Sequence, residues 1–329
     1  MEDENGAQEA AGGGERELDL SNSHLHDLED VPIAGTLTAL DLTTNRLKDI
    51  DSRILALTGL TSLCFRQNLL PDASVVAEFQ SKGVLEDLEL RDNQLKQLPD
   101  LTGFHKLRRL EVSYNQLRSI SGLLSLGTSN PLEELYVAAN KITKIEGLED
   151  LVQIRILELG SNRVAKIEGL ETLQSLEQLW LGRNRISTVE NVGHLTNLRQ
   201  LSLQSNRLEC MRGFEECVGL EEVYLSHNGI SRLEGLGTLT RLKVLDVSSN
   251  RLEKIEGLDS LGQLEDLWLN DNSIDSWEGI YESLQGPRQS LTTLYLHNNK
   301  VAADPMYRRK CMEILPNLGQ LDANYTRRT

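Results

Sequence analysis

The chain of 329 residues carries 50 acidic against 34 basic side chains, a formal net charge of −16 and a pI near 4.9. That balance disfavours a general affinity for nucleic-acid phosphates or anionic lipid, and the sequence has no run of about 18 apolar residues to span a membrane. The four cysteines, Cys64, Cys210, Cys217 and Cys311, form no CxxC pair or disulfide framework, which predicts free thiols in a reducing compartment.

The opening stretch, MEDENGAQEAAGGGERE, is acidic and Gly-rich where a signal peptide is basic and then apolar. Residues 1–17 read as a disordered tail without assigned function, and the protein as soluble and intracellular. From residue 18 to 303 one phrase, LxLxxN, recurs about thirteen times. Its asparagines lie 22 residues apart from Asn140 through Asn272, 25 apart from Asn68 to Asn93 and from Asn115 to Asn140, and 27 apart before Asn299. An opening copy, LDLSNSHL, has Ser23 in place of the asparagine. LxL alternation predicts a short strand with its leucines on one face. The asparagine turns the chain, its amide bonding backbone groups exposed there. The return half, as in ITKIEGLEDL and LEKIEGLDSL, has apolar residues three apart, which predicts a short 3₁₀ turn. One unit cannot bury its leucines alone. Stacked units can, so the fold class is an α/β leucine-rich-repeat solenoid with a concave parallel sheet. Trp277 stands where other repeats have Ile or Val and is predicted to be core. Residues 304–329 read as a C-terminal cap and tail, with a helix over the last repeat and Arg308, Arg309 and Lys310 on its solvated face.

The strand positions that vary face outward and carry the function. The residue after the inward leucine runs Asp19, Asp41, Cys64, Glu89, Glu111, Tyr136, Glu158, Trp180, Ser202, Tyr224, Asp246, Trp268, Tyr295. Tyr136, Trp180, Tyr224 and Trp268 recur every second repeat, which predicts rings standing clear at roughly 10 Å intervals. With the columns two residues before and after, this face holds eleven acids and three bases, half of the whole chain's negative excess. Tryptophan and tyrosine anchor protein interfaces, so the column reads as a partner-binding face. Other chemistry is weak. The six histidines lack metal-ligand spacing, Glu158 and Asp246 lie four repeats apart, and neither a GxSxG elbow nor a GxxxxGK[ST] loop is present. No metal, cofactor or enzymatic activity is expected.

The repeat LxxLxLxxNxIxxIEGL, together with LELGSNR, LQSNRL, YLSHNGI, LNDNSIDSW and DPMYRRKCM, resembles the leucine-rich-repeat regulatory subunit of type-1 protein phosphatase (the regulatory subunit 7 family) over about residues 18–325. The resemblance implies a non-catalytic protein of nucleus and cytoplasm. Such a protein holds, matures and regulates the phosphatase catalytic subunit, sometimes with a second small inhibitor protein; the acidic face itself predicts no direct nucleic-acid binding. The family's contact positions fall on Glu111, Tyr136, Glu158, Trp180, Asp246, Asp266, Trp268 and Tyr295, and the aromatic column adds Tyr224. Where the family often has Asp, Phe, Phe and Glu, this chain has Glu111, Tyr136, Trp180 and Asp266, changes that keep charge or aromaticity. A scaffold for an RNA-processing or cytoskeletal complex is the alternative reading of the same architecture.

Overall fold

A computed structural model describes residues 16–326. Its first strand begins at Glu17, one residue before the expected start of the solenoid; the rest of the expected tail, residues 1–15, lies outside the described residues. Thirteen three-residue strands follow: β1 (Glu17–Asp19), β2 (Ala39–Asp41), β3 (Ser62–Cys64), β4 (Asp87–Glu89), β5 (Arg109–Glu111), β6 (Glu134–Tyr136), β7 (Ile156–Glu158), β8 (Gln178–Trp180), β9 (Gln200–Ser202), β10 (Glu222–Tyr224), β11 (Val244–Asp246), β12 (Asp266–Trp268) and β13 (Thr293–Tyr295). Each pairs in parallel with the next, so spatial order is chain order. The register places leucine on leucine, as in Leu157↔Leu179 and Leu179↔Leu201. From β2 onward the middle residue of each of these strands is buried and the first points outward, the alternation that strand geometry imposes. One continuous core of Leu, Ile and Val runs the length of the stack.

The turn asparagines form a ladder. Asn184 accepts the Val164 N–H of the preceding repeat at 2.9 Å and donates to the Leu159 and Leu181 carbonyls at 2.9 and 3.0 Å. Asn162 and Asn206 repeat this pattern one step to either side. The residue before each turn position, from Asn22 to Asn298, sits at φ between 52° and 57° although none is glycine. That left-handed conformation costs non-glycine residues roughly 1–2 kcal/mol, and the amide bonds across repeats offset it.

The return halves differ from expectation. In the 22-residue units they are turns without helix; 3₁₀ segments occur in the longer units, at Ser74–Glu78, Ser121–Leu126 and Pro287–Gln289. Single α-turns also occur, α1 (Ser52–Leu55) in the unit between Asn45 and Asn68 and α2 (Ile280–Ser283) in the same long unit as Pro287–Gln289. A 22-residue unit has no chain to spare for a helical turn, and a few inserted residues supply one. Glycine of the IEGL phrase is needed for close approach: at Gly169, φ is +69° and a Cβ would meet the Ile145 carbonyl oxygen at 2.8 Å.

The cap also departs from the simple expectation. The helix α3 (Tyr307–Ile314) is followed by β14 (Gln320–Leu321), which extends the parallel sheet, and β15 (Asn324–Tyr325), which folds back antiparallel. Asp322 accepts the Leu296 and His297 N–H groups at 2.9 and 3.0 Å, covering the end of β13 that no further repeat pairs. Trp277 is half-buried rather than fully core, because its ring faces the cap: Tyr307 lies 6.1 Å away and Lys310 Nζ 5.0 Å from the ring centroid. The basic run clamps this end instead of only facing solvent. Lys310 pairs with Asp304 at 2.5 Å, and Arg308 donates to the Tyr325 carbonyl at 2.7 Å.

One row was missed in the sequence. The residues just before the strands, Glu86, Arg108, Glu133, Arg155, Glu177, Arg199, Glu221, Lys243 and Glu265, alternate in sign through nine repeats. Neighbours pair, as Arg155–Glu177 and Arg199–Glu221 do at 3.0 Å each.

Asn184→Ala leaves buried backbone groups of two repeats unpaired, so it should cost about 3 kcal/mol. Urea denaturation measures this; a loss below about 1 kcal/mol would contradict the ladder's role.

Candidate functional site

The outward column of the strands divides into two halves with different chemistry. In the first half carboxylates are occupied by the protein itself. Asp19 and Asp41 accept the N–H groups of Ser21 and Thr43 at 2.8 Å, closing their own strand ends. Glu111 does the same for Ser113 at 2.7 Å and is buried, 3% exposed. Burial pushes the Glu111 carboxyl up, against its bond to Ser113 and the nearby Arg91 and Arg109. Arg109 is the hub: its guanidinium lies 3.0 Å from Asp87, 3.3 Å from Glu89, 4.0 Å from Glu111 and 3.8 Å from Glu134. Burial works against the Arg109 charge, yet Asp87, Glu89 and Glu111 outweigh it and raise the guanidinium pKa. The same guanidinium covers the Tyr136 ring at 5.4 Å. Cys64 sits in this half with its thiol 3.1 Å from the Thr43 hydroxyl, and burial pushes its pKa up to about 11, so it remains a thiol at neutral pH.

In the second half the rings do not stand apart. Trp180 and Tyr224 stack at 6.5 Å between centroids, 15° from parallel. Ser202 between them is too small to hold them off and is fully covered, 0% exposed; its hydroxyl donates to Gln204. Trp268 meets Tyr295 edge to face at 6.0 Å, and Tyr295 meets His297 at 5.9 Å. The expected even spacing is therefore replaced by two ring clusters.

A pairing rule within each strand positions the rings. The residue two before the ring engages its polar atom: Tyr136 donates to Glu134 at 3.0 Å, Trp180 to Gln178 at 3.3 Å, and Tyr224 to Glu222 at 2.8 Å. Burial and Glu134 push the Tyr136 phenol up to about 12, so it stays a hydrogen-bond donor. Tyr295 instead accepts from Gln320 of the cap at 2.6 Å. Trp268 breaks the rule. Its indole N–H is buried and has no hydrogen-bond partner among the described residues, although Asp266 precedes it by two. It lines a cleft of about 390 Å³ with Asp246, Tyr295, His227 and His297. The Asp246 carboxylate is buried there, holding the Ser248 N–H at 2.9 Å and hydroxyl at 2.6 Å.

Glu158 lies between the halves. It is half-buried, and among the described residues its carboxylate has no hydrogen bond or ion pair. Burial, then the Glu111 charge, pushes its pKa up, with Arg91 only a lesser opposing pull. Gln178 was overlooked in the sequence and Glu222 counted only as part of the acidic face, although an acid or amide two before Tyr136, Trp180, Tyr224 and Trp268 was visible there.

The family described as Leucine Rich repeats (2 copies) matches residues 174–216, 218–260 and 240–283. Among solved structures, the chain is similar to an internalin, InlF, of Listeria monocytogenes, with TM-score 0.82, 24% identity, and 94% of this chain and 87% of that one covered. It is similar also to a leucine-rich-repeat protein of Leptospira interrogans, with TM-score 0.74, 25% identity, and coverage of 94% and 84%. These likenesses establish the fold: the chain is a leucine-rich-repeat solenoid. In sequence it is 47% identical over 101 residues to a protein phosphatase 1 regulatory inhibitor subunit PPP1R7 homolog of Arabidopsis thaliana. It is 50% identical over 46 residues to protein phosphatase 1 regulatory subunit 7 of Mus musculus. The matched segments cover 30% and 14% of this chain, and 31% and 12% of those relatives.

The raised Glu158 pKa has a defined consequence for stability. Above its ordinary value of 4.5 the folded state holds this proton more tightly than the unfolded chain, so ionised Glu158 subtracts from stability as pH rises. Glu158→Gln should therefore melt higher than wild type at about pH 7, with the difference closing below about pH 4. Thermal denaturation across that range checks it; an equal or lower melting temperature at neutral pH would contradict the electrostatic account.

Proposed function

We propose that this solenoid is a non-catalytic regulatory subunit that holds the catalytic subunit of type-1 Ser/Thr protein phosphatase against its concave face. The observation that carries the reading is the unfinished outward column from Glu158 onward. There, paired rings, an indole N–H without a partner at Trp268, and the uncompensated carboxylate of Glu158 lie on one surface. Each of these groups gains from a partner that supplies apolar area, an acceptor and a cation respectively. The names of the two sequence relatives point to the same partner.

In this reading Trp180, Tyr224, Trp268 and Tyr295 supply affinity, and Tyr136 joins them at the edge of the Arg109 hub. Glu158 and Asp266 choose among partners by charge. Glu111 and Asp246 contribute mainly by fixing the strand ends that carry the rings, since their oxygens already hold Ser113 and Ser248. The solenoid regulates the activity, maturation or location of the phosphatase in nucleus and cytoplasm, with room for a small inhibitor protein in a ternary complex. Catalysis belongs to the partner.

A pull-down of the phosphatase catalytic subunit by wild type and by Trp180→Ala/Trp268→Ala tests this. Losing two interface anchors should weaken capture by at least about thirtyfold, equivalent to about 2 kcal/mol, with the melting temperature held within about 3 °C. Failure of correctly folded wild type to capture the phosphatase, or its capture of RNA-processing or cytoskeletal proteins instead, would overturn the assignment and leave the fold intact.

A further inference from the structure

Two charged rows cross the repeats and follow opposite rules. Before the strands the signs alternate and neighbours pair, with Lys243–Glu221 at 2.7 Å as well as the pairs at 3.0 Å already described. Just past the turn asparagines, Lys141, Arg163, Arg185 and Arg207 stack with one sign through four consecutive repeats. Their backbone N–H groups donate to Leu117, Ile142, Val164 and Ile186 of the preceding repeat, each at 2.8 Å. The four stems are thereby fixed at strand spacing, about 4.8 Å, along a ridge about 14 Å long.

Among the described residues no carboxylate forms an ion pair with this ridge. Arg163, Arg185 and Arg207 are exposed, as are Arg183 and Lys166 beside them, and none of these five side chains makes a hydrogen bond or ion pair among the described residues. Lys141 reaches only the neutral Gln116 amide, at 3.3 Å. The row is interrupted at Gln116 on one side and at Gly229 on the other, where a Cβ would meet the Glu209 side chain at 3.8 Å and the Arg251 guanidinium at 3.9 Å. Like charges stacked on adjacent strands oppose folding, and the alternating row shows that this same scaffold can pair its cations when they serve stability alone. The ridge is thus a preformed binding strip on a chain of net charge −16.

We propose that this ridge binds a short, extended, carboxylate-rich segment of a partner protein. Guanidinium forks take carboxylates in bidentate pairs. An extended chain rises about 3.3 Å per residue, so acids on one face recur about every 6.6 Å, a mismatch that long arginine side chains absorb. A short acidic run ends where the ridge ends. A long polyanion such as nucleic acid would project its charge onto the surrounding acidic surface and be repelled. The inference does not rest on the phosphatase reading, since the ridge lies off the outward strand column.

Fluorescence anisotropy of a labelled oligoglutamate peptide, titrated with the full chain at low salt, tests the proposal. Wild type should bind, and Arg163→Gln/Arg185→Gln/Arg207→Gln should lose about tenfold in affinity, as three exposed charge pairs would give. The charge-matched variant Arg155→Gln/Arg199→Gln/Lys243→Gln on the alternating row should stay within about twofold of wild type. Wild type also supplies a readout independent of variant folding: the peptide should protect Arg163 and Arg185 from phenylglyoxal in a mass-spectrometric footprint. No binding, equal loss in both variants, absent protection, or tighter binding of a labelled single-stranded oligonucleotide would each overturn it.

Discussion

Thirteen non-glycine residues, from Asn22 to Asn298, are held at φ near 55°, and the interaction that makes this tolerable is the asparagine amide beside nearly all of them. The amide has one acceptor and two donors, and the turn exposes one N–H of the repeat before and carbonyls of both repeats. No apolar or charged side chain of that size satisfies both kinds of group. The bonds run from repeat to repeat, so the ladder fixes register as well as the turn. Its last step is Asn299, which accepts the Ile274 N–H and donates to the Leu269 and Leu296 carbonyls.

Register fixed this tightly turns a sequence column into a surface column. Position after position, the outward residues of β1 to β13 are brought to about 4.8 Å from their neighbours, and the chemistry of the face follows from which side chains become adjacent. Around Arg109 four carboxylates and a tyrosine satisfy one another, which leaves little to offer a partner. From Glu158 onward the column contains no cation, and the rings pair across or beside small residues such as Ser202. The asymmetry explains why a formally acidic surface can be internally bonded at one end and open at the other.

The solenoid was legible in the sequence because a period near 22 with an asparagine at nearly every turn leaves few physical solutions. The outward column was legible for the same reason, strand alternation being strict. What the sequence did not disclose depends on side chains choosing among neighbours. Trp180 leans onto Tyr224 because the intervening serine leaves space, a choice visible only once the curvature is known. Glu111 and Asp246 bend back to serine N–H groups two residues on, although their positions alone marked them as free acids. Trp277 occupies a core position by spacing, yet the cap that covers it comes from 30 residues further along, at Tyr307. The hairpin of β14 and β15 lacks the repeat phrase and so escaped the periodic signal.

The central claim is that a phosphatase catalytic subunit lies against the ring-bearing half of the outward column. The most direct measurement is site-specific photo-cross-linking, with p-benzoylphenylalanine placed at position 180 in one protein and at the exposed return-half position of Val218 in another. The account predicts that the catalytic subunit is cross-linked from position 180 and not from 218. Cross-linking from 218 alone, or equally from both, would contradict it.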